Sequence, residues 1–174
     1  MIHIINEEFA GFVGKNLTEI SVWNSYNPSE TIRLGVFTSI AESIRYNEEM
    51  PGVGNSFFLG NFNTFQITPK LRISESIRYS QFRVKGEDLL DFKGYIARVN
   101  INYQFNQDLS FRLIGEYNDF DQGFFVQPLL KWNPNPFTIF YVGGTNGYSR
   151  INNQSPFQVE DSQLYLKFQY LFDL

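Results

Sequence analysis

The sequence predicts an all-β protein, an antiparallel up-and-down transmembrane β-barrel of about nine or ten strands, and three observations carry that expectation. The first is alternation at period two, cleanest at the end of the chain. From Ser162 to Leu174, the side chains Leu164, Leu166, Phe168, Tyr170 and Phe172 fall on one face, and Gln163, Tyr165, Lys167 and Gln169 on the other, with Leu171 as the exception. The second is that short and long connections alternate along the chain, as they do when a polypeptide weaves through a bilayer and keeps its turns on one rim and its loops on the other. The third is composition. Aromatic residues make up 18% of the 174, including 19 Phe and 10 Tyr, yet the mean hydropathy is slightly negative. That combination suits a surface on which every second residue meets lipid and the rest meet water or a polar lumen.

In order, residues 1 to 10 support only a short strand around Ile2 to Ile5. A second strand from Leu17 to Tyr26 places Ile20, Val22 and Tyr26 opposite Glu19, Ser21 and Ser25, with Trp23 out of pattern, and Asn27-Pro28-Ser29-Glu30 reads as a tight turn. Next, Ile32, Leu34, Val36, Ile40 and Ile44 alternate with Arg33, Gly35, Ser39, Ser43 and Arg45, over too many residues for a helix. A polar loop from Asn47 to Asn55 leads to a strand over Phe57 to Ile67, a turn at Thr68-Pro69-Lys70 and a strand over Leu71 to Val84, where Glu75 is the one exception on the apolar side. After a loop from Lys85 to Asp91, Ala97, Val99, Ile101, Tyr103 and Phe105 oppose Arg98, Asn100, Asn102 and Gln104. The chain then reverses at Asn106-Gln107-Asp108, and Leu109, Phe111, Leu113 and Tyr117 oppose Ser110, Arg112, Glu116 and Asn118. Pro128 in the segment Phe124 to Trp132 predicts a bulge. Pro134-Asn135-Pro136 reads as a turn, Phe137, Ile139 and Tyr141 lead a further strand into Gly143-Gly144, and a loop over Ser149 to Asp161 precedes the last strand.

The length suits a single domain, 1–174, or the C-terminal part of one. A transmembrane helix is excluded, since no stretch of about 18 apolar residues exists. A net charge of −4 with basic residues scattered singly argues against nucleic acid as a partner. The absence of cysteine removes disulfides, thiol nucleophiles and thiolate metal sites together. The opening MIHIINEEFAGFVG lacks the basic start, apolar core and cleavage site of a signal peptide. An exported protein needs one, so the chain is read either as a mature or recombinant form or as the C-terminal piece of a longer polypeptide.

The second half adds a resemblance. LSFRLIGEYNDF, then FFVQPLLKWNPNPFTIFYVGGTNGY, then QLYLKFQYLFDL resemble the C-terminal barrel region of a family of large Gram-negative outer-membrane proteins of unknown function, in which a carbohydrate-binding-like module precedes the barrel. The likeness covers about Phe92 to Leu174, and its most distinctive pieces are Pro128 to Pro136 and Leu166 to Phe172. It implies an outer-membrane location and barrel-insertion machinery as a partner, which would read Tyr170 and Phe172. It carries over no catalytic residue.

The candidate lumen-facing residues are Arg33, Arg72, Arg78, Arg98, Arg112, Lys131 and Lys167, which fall mainly on the polar face, with Glu116 as an acid that pairs with them, since a cation on the lipid face would cost about 2–4 kcal/mol at mid-membrane. These arginines either favour an anionic solute or pair with lumen acids. No catalytic, cofactor or metal residue is assigned: His3 is the single histidine, Glu48, Glu49, Asp119 and Asp121 read as solvated loop charge, and Gly143, Gly144 and Gly147 read as relief of crowding in a strand or as a bulge rather than as a phosphate cradle. The pairs Phe57-Phe58 and Phe124-Phe125 suit a membrane-interface girdle. The expected function is therefore a non-enzymatic pore, transporter component or anchor, with outer-membrane lipid and either the rest of a longer polypeptide or partner subunits around it. The alternative is a soluble lipocalin-like barrel binding a small apolar ligand, with the two faces inverted. Against it stands the count of about forty apolar side chains on one face, more than so small an interior holds.

Overall fold

A computed structural model describes residues 1–88, 90–150 and 156–172. The ten strands are β1 (Ile2–Phe9), β2 (Phe12–Ser29), β3 (Ile32–Ile44), β4 (Val53–Thr68), β5 (Leu71–Val84), β6 (Phe92–Gln104), β7 (Leu109–Asn118), β8 (Gly123–Asn135), β9 (Thr138–Ser149) and β10 (Gln158–Tyr170). They form one antiparallel sheet in sequence order, each strand paired with its chain neighbours, and the described residues contain no helix. Among the described residues the sheet is not closed. β1 pairs with β2 alone and β10 with β9 alone, so both outer strands present unpaired backbone groups.

The connections divide between two rims, all of four residues or fewer at one and mostly longer at the other. Two-residue turns at Glu30-Thr31, Pro69-Lys70 and Pro136-Phe137 and a four-residue turn at Phe105 to Asp108 lie at one rim; the connections 45–52, 85–91 and 119–122, together with the end of β9 and the start of β10, lie at the other. At that second rim β1 and β2 are joined by Ala10 and Gly11, whose positive φ angles of 48° and 77° suit the tight hairpin whose twist matches that of its strands.

Several local expectations need correction. Asn27-Pro28-Ser29 ends β2 instead of forming the turn: a register shift between Tyr26 and Ser29 accommodates Pro28, which lacks a donor for the ladder. Pro134 and Asn135 likewise belong to β8, with a shift between Trp132 and Asn135. Pro128 marks no bulge. Register is the same on either side of it, and Gln127 and Pro128 simply lack partners in β9. The N-terminal strand is longer than Ile2 to Ile5 because Asn6 continues it through an irregularity, its Oδ1 accepting from Asn16 N at 2.8 Å.

Candidate functional site

Register determines which side chains share a face, because directly paired residues point the same way. One face carries Ile73, Ile101, Leu113, Pro128 and their neighbours in row. Along the long-loop side of this aliphatic band runs a line of paired rings, Phe57–Tyr79, Tyr95–Tyr117 and Phe124–Tyr148, with centroids 5.7–6.3 Å apart. Along the short-turn side run Trp132–Phe140 and Phe140–Phe168 at 5.4 and 5.1 Å. This apolar face is open: Ile40, Ile77, Leu164 and Leu166 are 63%, 46%, 80% and 76% exposed. The expected aromatic pairs do not act as units, since Phe57 and Phe124 lie on this face while Phe58 and Phe125 point to the other.

A polar spot interrupts the apolar face. Glu75 accepts hydrogen bonds from the side-chain amides of Asn61, at 2.7 Å, and Asn63. The two asparagine carbonyls accept from Ile77 N and Gly35 N, at 3.0 and 3.3 Å. The exception noted in the sequence is thus a hydrogen-bonded cluster across β4 and β5. Only the register of the two strands exposes it.

All eight candidate charged residues fall on the opposite face. Arg33 shares a row with Thr64 and Ser74; Arg72 with Asn102 and Arg112; Arg98 with Ser76, Glu116 and Phe125; Lys131 with Ser110, Tyr141 and Lys167; and Arg78 pairs with Gly60 and Ile96. This is the more enclosed face at its centre. Phe82 and Ile114, two of the four buried apolar side chains among the described residues, lie on it with 3% and 6% exposure, while Ile44, at 2%, shares the register of the apolar face. Glycine lets the strands approach there: a Cβ on Gly143 would lie 2.5 Å from the Tyr165 hydroxyl, and one on Gly147 would collide with the Asp161 carboxylate. The crowding-relief reading of these glycines therefore fits, and Ile139 and Tyr141, which lead β9, belong to the polar face rather than the apolar one.

The charges on this face are handled in two ways. Arg98 Nη1 lies 3.3 Å from Glu116 Oε2. Toward the short-turn rim Arg72, Arg112, Lys131 and Lys167 have no carboxylate within ion-pair distance among the described residues. Arg72 Nε donates to Gln66 Oε1 at 2.9 Å, Lys167 Nζ stands 5.7 Å from the Tyr141 ring, and Arg112 Nε is shielded from solvent with no hydrogen-bond partner. A cavity of about 470 Å³ opens here, lined in part by Arg72, Asn102, Ser110, Arg112 and Lys131.

At the long-loop rim Arg45 and Lys85 are paired. Arg45 Nη2 lies 3.0 Å from Glu87 and 2.7 Å from Asp91, which ties the 45–52 loop to the 85–91 loop, and Lys85 pairs with Glu42. Burial lowers the Arg45 pKa, but its hydrogen bonds to Asp91 and Glu87 more than offset this, and it stands above the ordinary arginine value. Tyr46 donates to the Glu7 carboxylate, a bond that together with burial raises the phenol pKa, and its ring meets Phe9 edge-on at 5.2 Å. Asp119 and Asp121 are engaged within their own turn, by Gln122 and Asn118. Of the two terminal aromatics, Tyr170 ends β10 and packs edge-on against Phe172 at 4.8 Å.

No protein-family model matches the chain, and no curated protein is significantly similar to it.

Proposed function

We propose that the chain is the membrane-embedded wall of an outer-membrane β-barrel that acts as a pore, transporter component or anchor, with its aliphatic face toward lipid and its charged face toward the lumen. The observation that carries this reading is the layered apolar face: an aliphatic band bordered on both sides by aromatic rings. A bilayer selects that order, because aromatic side chains favour the two interfaces and aliphatic ones the hydrocarbon between them. Most strands run 12–18 residues, beyond the roughly 9–11 that a tilted crossing needs. The polar spot at Glu75 is hydrogen-bonded within itself and to the backbone, which lowers the cost of meeting lipid on that face.

The reading places a demand on the two outer strands. Hydrocarbon tolerates no open sheet edge, so β1 and β10 must meet each other, further strands of a longer polypeptide, or a second copy. Tyr170 and Phe172 would serve the insertion machinery at the β10 end. On this account the chain is not an enzyme: its chemistry is partition and permeation.

The alternative, a soluble barrel with an apolar interior, would enclose the aliphatic face. Here that face is the open one. The test is reconstitution: folded protein should float with phospholipid vesicles, resist carbonate extraction and run with heat-modifiable mobility on a gel. A folded, water-soluble monomer that takes up an apolar fluorophore would overturn the membrane reading.

A further inference from the structure

We propose that the polar face carries a binding site for a small multivalent oxyanion at the short-turn end, built by Arg72, Arg112 and Lys131. The inference deepens the barrel reading by naming the class of solute, and it depends on that reading only for the route by which the solute arrives.

Position is the first support. Arg72 and Arg112 flank Asn102 in one row across β5, β6 and β7; strands about 4.8 Å apart set the two arginine backbones about 10 Å from one another. Lys131 lies one row toward the rim on β8, paired with Ser110. No carboxylate lines the cavity among these strands, although the chain carries more acids than bases, 18 against 14.

The second support is that, among the described residues, none of these cations has a carboxylate partner. Arg45, Lys85 and Arg98 all meet carboxylates. Arg72 meets the neutral Gln66, and Arg112, whose Nε is shielded and unpartnered as that of Arg45 also is, has no carboxylate on its other nitrogens among the described residues to compensate. A shielded guanidinium donor left unpaired is costly, and an oxyanion restores the missing acceptor. Guanidinium groups grip phosphate and carboxylate oxygens in pairs of parallel bonds, while the Asn102 amide and Ser110 hydroxyl supply neutral donors between the charges.

Size is the third support. A space of about 470 Å³ suits a small organic or inorganic anion and leaves no room for a folded partner. Phosphate and carboxylate present the same chemistry to this site, so the test separates them.

The experiment is calorimetric titration of the full chain, folded in detergent micelles at low ionic strength, with pyrophosphate and, in parallel, with citrate. The Arg72→Gln/Arg112→Gln protein should bind at least about tenfold more weakly, the size of effect expected on losing charge-assisted hydrogen bonds. Arg83→Gln, an exposed arginine paired with Asn55 at the opposite end and on the opposite face, should bind as the unmodified chain does. Tighter pyrophosphate binding assigns the site to phosphate, and tighter citrate binding to carboxylate. No binding by the unmodified chain, or an equal loss in Arg83→Gln, overturns the proposal. Should the double variant not reach its heat-modifiable folded form, Lys131→Gln replaces it with the same expectation. Vesicle insertion measured on the same preparations separates the two claims: insertion without anion binding removes the site alone, and anion binding without insertion removes the membrane reading and leaves the site standing.

Discussion

The two ends of the sheet treat charge in opposite ways. At the long-loop end Arg45 holds two loops together through Glu87 and Asp91, and Lys85 meets Glu42; at the short-turn end Arg72, Arg112 and Lys131 share a cavity without a carboxylate. The same residue type is structural in one place and available in the other. What separates them is the loops. The 85–91 connection carries Glu87 and Asp91 over to Arg45, whereas the short turns, although they include Glu30 and Asp108, place no carboxylate in the cavity lined by Arg72, Arg112 and Lys131.

The largest expected effect comes from breaking the backbone that carries the long-loop end. Gly54 sits in β4 where an added Cβ would strike both the Arg83 carbonyl and the Phe82 ring. Neither can yield easily, since one is ladder backbone and the other a buried side chain. Gly54→Val should therefore abolish the folded, heat-modifiable form, while Gly86→Val, at a loop glycine with open space but a φ of +87°, should lower its yield without eliminating it.

A smaller effect sharpens the contrast between ends. Arg45→Gln should speed protease cleavage within 45–52 and 85–91, because it removes the only ion pairs seen between those loops among the described residues. Arg112→Gln should leave the cleavage pattern unchanged, since no carboxylate depends on it. Equal protection in both variants would mean that loop order comes from packing rather than from Arg45.

The smallest effect is a pH dependence. The Tyr46 phenol has a raised pKa in the folded chain, chiefly through its bond to Glu7. A group raised on folding contributes stability that is fully present below its unfolded value, about 10 for tyrosine, and that is lost as pH rises through the folded value. The tie between the 45–52 loop and β1 should thus hold at neutral pH and loosen above about pH 10. Protease cleavage near Tyr46 across that range, compared with Tyr46→Phe, reads it: Tyr46→Phe should be cleaved at the same rate on both sides of the transition.

Much of the strand plan is legible in the sequence, because period-two alternation is a property of single strands. β5 is recovered at both ends, Leu71 to Val84, and the order of short and long connections follows. Misreadings occur where local chemistry is outvoted by pairing: Asn27-Pro28 and Pro134-Asn135 look like turns, yet neighbouring strands hold them in the sheet through register shifts. The open edges, the Glu75–Asn61–Asn63 cluster and the row shared by Arg72 and Arg112 all depend on which residues stand opposite one another. One sequence contains no direct signal of that register. The polar character of Arg112 was readable; its lack of a partner was not.

The orientation of the two faces is the claim on which the rest stands, and neighbouring residues of β6 test it most directly. Ile101 lies in the aliphatic band and Asn100 on the charged face. The chain has no cysteine, so Ile101→Cys and Asn100→Cys each give a single attachment point for a nitroxide. In vesicles, the label at 101 should relax strongly with oxygen, which partitions into lipid, and weakly with a water-soluble nickel chelate; the label at 100 should do the reverse. Equal nickel accessibility at both positions, or the opposite order, would contradict a lipid-facing apolar band.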